Sequence, residues 1–299
     1  MSRFRGVFTI PCTPFTEAGA LDEASLRREV EFCLQCGAHG LVAPVNASEF
    51  TSLSDLERQR VVEIVAEVNA GRRPFVAGVS GVSSEVAVWH ARHAREVGAD
   101  ALIAMPPYVR KASPPEIVAY YRALGEVGLP IFVQNWVLPI GTPMAPDFLA
   151  RLAREIEAVE YLKEETQFAP QVMTAVRQLA GDHLRGVMGG QAGRYLFTEH
   201  ARGACGTMPA CDLTDLQVDL WEALDAGREA EARDRFRAML PLLNFEQMYG
   251  VAAYKEILRR RGVIATAVCR GAPAALDRDD LRELDRLLAD VEPYFRWQA

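Results

Sequence analysis

The sequence predicts an α/β protein, a (β/α)8 barrel of parallel strands followed by a C-terminal helical extension. Two observations lead there. Short apolar runs alternate with longer amphipathic runs at intervals of about 20 to 35 residues, the pattern of βα units around a parallel sheet. Strand candidates then stop after the eighth, and residues 227–299 show helical periodicity alone. A chain of 299 residues holds such a barrel as one domain, since α/β barrels run to about 250 residues.

Taken in order, the strand candidates cover residues 6–10, 40–44, 74–78, 101–104, 131–134, 159–163, 184–188 and 206–208. Helical candidates lie between and after them at 22–36, 54–69, 83–97, 115–127, 146–156, 167–179, 192–201 and 212–226. Several open as helices do: Ser54 followed by Glu57 is a capping box, and Pro115 and Pro146 suit a first turn. Further helices at 229–240, 245–261 and 279–291 make up the tail. No low-complexity linker separates it, so residues 1–226 read as the catalytic barrel and 227–299 as an extension packed on it. In such a barrel the residues after strand C-termini line the active face.

Composition narrows the function. The chain carries 33 basic and 40 acidic side chains, a formal charge of -7, and no dense Lys/Arg stripe. Nucleic acid is therefore a poor partner and a small metabolite a better one. No run of about 18 apolar residues exists, so no membrane association is expected. Pro11 and Pro14 interrupt the N-terminal stretch, and the chain reads as cytoplasmic. Six cysteines suit reduced thiols. Cys33 and Cys36 form a C-x-x-C spacing inside an apolar helical pattern, which favours core packing over redox chemistry. His90 and His93 share a helix with no acidic or cysteine partner in register, so no metal is expected. Nor does any motif call for a cofactor.

Three lysines, Lys111, Lys163 and Lys255, stand against 30 arginines. Lys111 precedes Pro114 and Pro115 in a loop, and Lys255 sits inside a tail helix. Lys163 alone ends a strand candidate, in the segment Val159-Glu160-Tyr161-Leu162-Lys163-Glu164-Glu165-Thr166. Alternation along a strand puts Tyr161, Lys163 and Glu165 on one face and Leu162 and Glu164 on the other. If Leu162 packs against the helices, Lys163 points into the barrel mouth. Desolvation there disfavours the ammonium, and a neutral amine attacks ketones to form a Schiff base. The competing reading is a lysine snorkelling beside two glutamates in a surface ion pair. The loop after strand 2, Asn46-Ala47-Ser48-Glu49, could present backbone N–H groups to a carboxylate, or be a plain connection.

These residues resemble a family. Pro11-Cys12-Thr13-Pro14-Phe15, the loop ending in Glu49, Met105-Pro106-Pro107-Tyr108, Phe132-Val133-Gln134-Asn135 and Leu162-Lys163-Glu164 fall in the order and spacing of the dihydrodipicolinate synthase / N-acetylneuraminate lyase family. The resemblance covers nearly the whole chain. It implies the barrel with a helical extension, a homotetramer, a 2-oxo acid substrate, and a Schiff-base lysine at Lys163.

Departures from the family pattern are informative. Where its synthases carry Gly-Thr-Thr-Gly-Glu, this chain reads Val45-Asn46-Ala47-Ser48-Glu49. The proton-shuttling tyrosine is replaced by Gln134, which cannot titrate. The arginine for a second substrate's carboxylate falls at Pro139, while Tyr108 keeps the second tyrosine of Pro-Tyr-Tyr. Dihydrodipicolinate synthesis is therefore disfavoured. Val133-Gln134-Asn135 with Ile140-Gly141-Thr142-Pro143, Lys163-Glu164-Glu165-Thr166 and the end 293–297 resemble instead the branch that includes 2-keto-3-deoxy-L-arabonate dehydratase.

The expected chemistry is loss of water from a 2-keto-3-deoxy acid. Lys163 forms the imine, and the acid/base is Glu165, about 6 to 7 Å along the same strand face. Glu165 has a plain alternative role as a helix N-terminal carboxylate. Tyr108 is placed to position a proton or a water, or packs at a subunit contact. Asn46, Ala47, Ser48, Gln134, Asn135 and Gly189 are the candidate substrate contacts, with the turn at Gly189-Gly190-Gln191 shaping the pocket wall. A class I aldolase passes through the same imine, and a keto-acid binder without catalysis is the reading from another class.

Overall fold

The computed structural model of the chain describes residues 3–137, 140–271 and 274–297. Its eight strands are β1 (Gly6–Thr9), β2 (Gly40–Ala43), β3 (Phe75–Gly78), β4 (Ala101–Ala104), β5 (Ile131–Asn135), β6 (Val159–Glu164), β7 (Gly186–Gly189) and β8 (Gly206–Thr207). They close into one parallel barrel in sequence order. Helices α1 (Glu23–Gln35), α2 (Asp55–Asn69), α3 (Ser84–Glu96), α4 (Pro114–Gly125), α5 (Pro146–Glu155), α6 (Ala169–Ala180), α7 (Leu196–Ala201) and α8 (Thr214–Asp225) follow the strands in turn. The tail adds α9 (Glu229–Tyr249), α10 (Val251–Arg260) and α11 (Arg278–Val291). Among the described residues no helix is long and apolar enough to cross a membrane.

Local chemistry explains where elements begin. The Ser54 hydroxyl accepts the Glu57 N–H at 3.2 Å, and the Glu57 carboxylate accepts the Ser54 N–H at 2.9 Å, so the capping box forms. Such a cap contributes about 1 kcal/mol. Pro114 and Pro146 open α4 and α5, where a missing N–H costs nothing. Some boundaries differ from the sequence expectation. The strand expected at 184–188 begins at Gly186, because residues Gly181–His183 form a 3-10 turn. The helix expected from residue 192 starts at Leu196, because Gln191 and Ala192 have φ of 50° and 57°. The tail helices expected at 229–240 and 245–261 divide elsewhere: α9 runs through Pro241, and the break falls at Gly250, with φ 54°. Glycine takes that left-handed turn without a Cβ clash.

The chain divides into two compact units, one of Met1–Arg5 with Pro74–Met208, the other of Gly6–Arg73 with Pro209–Ala299. In the first, β5 and β6 pair so that Phe132 lies beside Tyr161 and Gln134 beside Lys163. Parallel partners point to the same face, so one face of this pair carries an aromatic layer followed by a polar one. The Phe132 and Tyr161 rings stack at 4.5 Å, with Phe4 edge-on at 5.4 and 5.2 Å. His90 is buried against the Trp89 ring at 4.9 Å, a packing role for that histidine.

In the second unit a buried ion pair joins the helices: an Arg261 Nη lies 2.6 Å from Asp215 Oδ2. The same guanidinium sits 3.8 Å from the Phe295 ring and 4.8 Å from Phe32. Cys33 and Cys36 are both buried, and burial pushes the Cys36 thiol up to about 12. A thiol raised in this way is inert. Cys12, Glu29 and Cys211 form a further buried cluster, in which Glu29 Oε1 accepts the Cys12 N–H at 2.8 Å and the Cys211 thiol at 2.9 Å.

Candidate active site

Lys163 occupies the penultimate position of β6, and Glu165 follows the strand's last residue. Period-two alternation puts both on one face, and their tips meet: Lys163 Nζ lies 3.0 Å from Glu165 Oε2. Each side chain is only 4% exposed, which excludes the surface ion pair. The Gln134 amide donates to the same Oε2 at 2.8 Å. Gln134 thus stands directly beside the lysine and carboxylate, as a donor that carries no proton load of its own.

The turn after β7 closes on the same carboxylate. Gln191 N–H donates to Glu165 Oε1 at 3.3 Å, and the Gln191 side-chain amide donates to the Glu165 carbonyl at 2.9 Å. Arg194 in turn donates to Gln191 Oε1 at 3.1 Å. Gln191 and Ala192 both lie in the left-handed region, which costs about 1 to 2 kcal/mol per non-glycine residue. Gly190 is required by contact: a Cβ there would lie 2.0 Å from Glu165 Oε1.

Opposite faces carry a second set of acids. Asn135 donates to Glu164 Oε2 at 2.7 Å and to the Met144 carbonyl at 3.1 Å, and its Oδ1 accepts the Met144 N–H at 2.8 Å. The amide of Asn135 is therefore engaged with Glu164 and with the loop after β5, which differs from the substrate contact expected of it. Thr166 donates to Glu164 Oε1 through its N–H at 2.8 Å and through its hydroxyl. Burial raises the Glu164 carboxyl above its ordinary value. Glu199, on α7, is 1% exposed, and its Oε2 has no hydrogen-bond partner among the described residues. Burial, then the negative charges of Glu165 and Glu164, push its carboxyl up to about 8. Gly189 makes room for it, since a Cβ at Gly189 would lie 2.0 Å from Glu199 Oε2.

Within the second unit, residues Asn46–Ser48 form a 3-10 turn after β2. Thr13 donates to the Ser48 carbonyl at 2.6 Å, and the Ser48 hydroxyl donates to the Pro11 carbonyl at 2.6 Å. The Ser48 hydroxyl is thereby used to hold the turn. Both polar atoms of the Asn46 amide are buried without a hydrogen-bond partner among the described residues, which leaves them available to a polar ligand group. Ala47, between them, is half-buried. Next comes Glu49, with φ 53°, whose Oε1 meets Lys255 Nζ while Oε2 accepts the N–H groups of Arg270 at 2.8 Å and Gly271 at 2.6 Å. Lys255 also donates to the Val268 carbonyl at 2.9 Å and sits 4.2 Å from the Phe15 ring.

The site residues expected from sequence thus fall into groups. Lys163, Glu165 and Gln134 are brought together. Tyr108 is half-buried in the turn between β4 and α4. Pro139, where the family's arginine position falls, lies outside the described residues. Sequence reasoning reached Gly189, Gly190 and Gln191 as a turn shaping the pocket wall but not their contacts with Glu165, and it missed Glu199. The successive glycines of 189–190 were the available signal, because they mark a backbone approached closely by other groups. It also missed the Glu49–Lys255 pair, for which the one hint was a lysine within the apolar run 251–258 of a chain poor in lysine.

Comparison with known proteins identifies the family of the chain. The pattern of the dihydrodipicolinate synthetase family matches residues 3–291. An L-2-keto-3-deoxyarabonate dehydratase of Azospirillum brasilense is 33% identical over 301 residues, covering 99% of this chain and 97% of that protein. A 4-hydroxy-tetrahydrodipicolinate synthase of Methylobacterium radiotolerans is 34% identical over 242 residues, covering 81% of this chain and 80% of that protein. The crystal structure of a dihydrodipicolinate synthase from Rhodopseudomonas palustris superposes with a TM-score of 0.88 at 26% identity, over 96% of this chain and 98% of that one. A closed eight-stranded barrel and a family pattern spanning almost its whole length agree, and the chain belongs to the dihydrodipicolinate synthetase family, a family of lyases.

Proposed function

We propose that the protein removes water from a 2-keto-3-deoxy sugar acid, of which 2-keto-3-deoxy-arabonate is the type, through an imine on Lys163. One observation carries the reading: beside the lysine stands a buried carboxylate, Glu165 at 3.0 Å, held by Gln134 where the family's aldolases have a titratable tyrosine. The neutral Lys163 amine adds to the C2 carbonyl, and loss of one water leaves a protonated imine. Positive charge at C2 acidifies C3, and Glu165 takes a C3 proton while the C–H electrons form the C2=C3 enamine. The nitrogen lone pair then re-forms the protonated imine as the C2=C3 electrons shift to C3=C4 and the C4–O bond breaks, and Glu165 gives its proton to the departing hydroxyl, which leaves as water. Hydrolysis of the imine consumes one water and restores the lysine. The net change is loss of one water; transfer of a C5 proton of the unsaturated acid to C3 then gives a C4=C5 enol, whose ketonisation yields a 2-oxo semialdehyde.

Similarity to the Azospirillum dehydratase over the full chain supports the same choice. Asn135 serves here to hold Glu164 and the following loop, and Gln134 to fix the carboxylate. A pyruvate-dependent aldolase is the second reading, favoured by retention of Tyr108 and by the similarity to synthases. Product analysis decides between them. Incubation with a 2-keto-3-deoxy acid yields a semialdehyde without pyruvate if the proposal holds, and pyruvate release supports the aldolase.

A further inference from the structure

We propose that Gln191 positions Glu165 for proton transfer, gripping its main-chain carbonyl and its carboxylate from a single left-handed turn. This rests on the role given to Glu165 above. The Lys163–Glu165 ion pair cannot by itself hold the carboxylate through a reaction, because the lysine nitrogen becomes the imine nitrogen and its geometry changes. Other holders are needed. Gln134 takes Oε2 at 2.8 Å, and the Gln191 N–H takes Oε1 at 3.3 Å, so both oxygens keep a neutral donor when the ammonium is gone.

The side chain of Gln191 adds a second grip, its Nε2 lying 2.9 Å from the Glu165 carbonyl oxygen. Arg194 donates to Oε1 of the same amide at 3.1 Å, which fixes the amide's orientation with Nε2 toward Glu165. Backbone conformation points the same way. Gln191 at φ 50° and Ala192 at φ 57° are unusual for residues with a side chain, and such conformations persist where surrounding contacts over-determine them. Here those contacts converge on one carboxylate. Gly190, immediately before, leaves the space that the carboxylate fills.

The test compares Gln191→Ala, Gln191→Asn and Glu165→Gln with the unaltered protein, by steady-state turnover of a 2-keto-3-deoxy acid and by borohydride trapping with pyruvate. In Gln191→Ala the trapped adduct forms in full, KM stays within threefold, and kcat falls about 10- to 100-fold, the scale of an ångström's misplacement. Asn tolerates the left-handed backbone but is too short to reach the carbonyl, so Gln191→Asn recovers part of the lost kcat. A Gln191→Ala protein with kcat within twofold of the original overturns the proposal, as does a parallel fall of kcat and adduct. Glu165→Gln separates the two ideas. If it keeps full turnover, the role of Glu165 fails and the positioning role with it. If it is inactive with its adduct intact while Gln191→Ala turns over normally, the positioning role alone is wrong.

Discussion

Lys163 Nζ and Glu165 Oε2 lie 3.0 Å apart on one face of β6, each side chain 4% exposed. A buried pair of this kind is costly to desolvate and weak evidence for stability, so its placement at a strand end is better explained by chemistry. Replacing Glu165 by Gln keeps the shape and removes the base. Turnover then falls about 10²- to 10⁴-fold while the imine still forms. Unchanged turnover removes Glu165 from the mechanism.

Gly190 and Gly189 predict separable defects. In Gly190→Ala the added Cβ would meet Glu165 Oε1 at 2.0 Å. The carboxylate must move, and kcat drops by at least about tenfold. Gly189→Ala drives a Cβ against Glu199 Oε2 instead, and overpacking of that kind costs about 1–3 kcal/mol. Rates and unfolding free energies of the two variants distinguish them; the same defect in both contradicts the assignment.

Glu199 makes stability depend on pH. Its carboxyl titrates near 4.5 in an unfolded chain and at about 8 in the fold. Between those values the folded state holds a proton that the unfolded state lacks. Its contribution is therefore complete below the lower value and is lost as pH rises toward the upper, by about 1.4 kcal/mol per pH unit. Glu29, also raised to about 8 by burial, acts in the same direction. Unfolding free energies in urea should fall less steeply between pH 5.5 and 8 in Glu199→Gln than in the original protein. Equal slopes would show that Glu199 is already charged in the fold.

Lys255 and Glu49 form an ion pair with side chains 0% and 2% exposed. Lys255→Met strands the carboxylate and should cost about 3–5 kcal/mol of unfolding free energy. In the double variant with Glu49→Gln the loss is smaller than the two single losses combined, as for residues in contact. Additive losses would mean that the two do not interact.

The barrel is legible in the sequence because parallel strands buried on both faces read as short apolar runs, as at Ala101–Ala104 and the first three residues of β5. Lys163 and Glu165 are legible for a related reason: two positions apart on a strand means one face. What stays hidden depends on residues distant in the chain. Nothing near Glu165 announces that Gln191 will hold it, and nothing near Glu49 announces Lys255. The late start of α7 hides too, because an isolated Gln-Ala pair gives no sign that tertiary contacts will hold it left-handed.

The account turns on the imine at Lys163. Incubating the protein with pyruvate, reducing with borohydride and weighing it by mass spectrometry tests that directly. A single reduced pyruvate adduct per chain, mapped to Lys163 and absent from Lys163→Ala, is the predicted result. No adduct, or one that persists in Lys163→Ala, would contradict it.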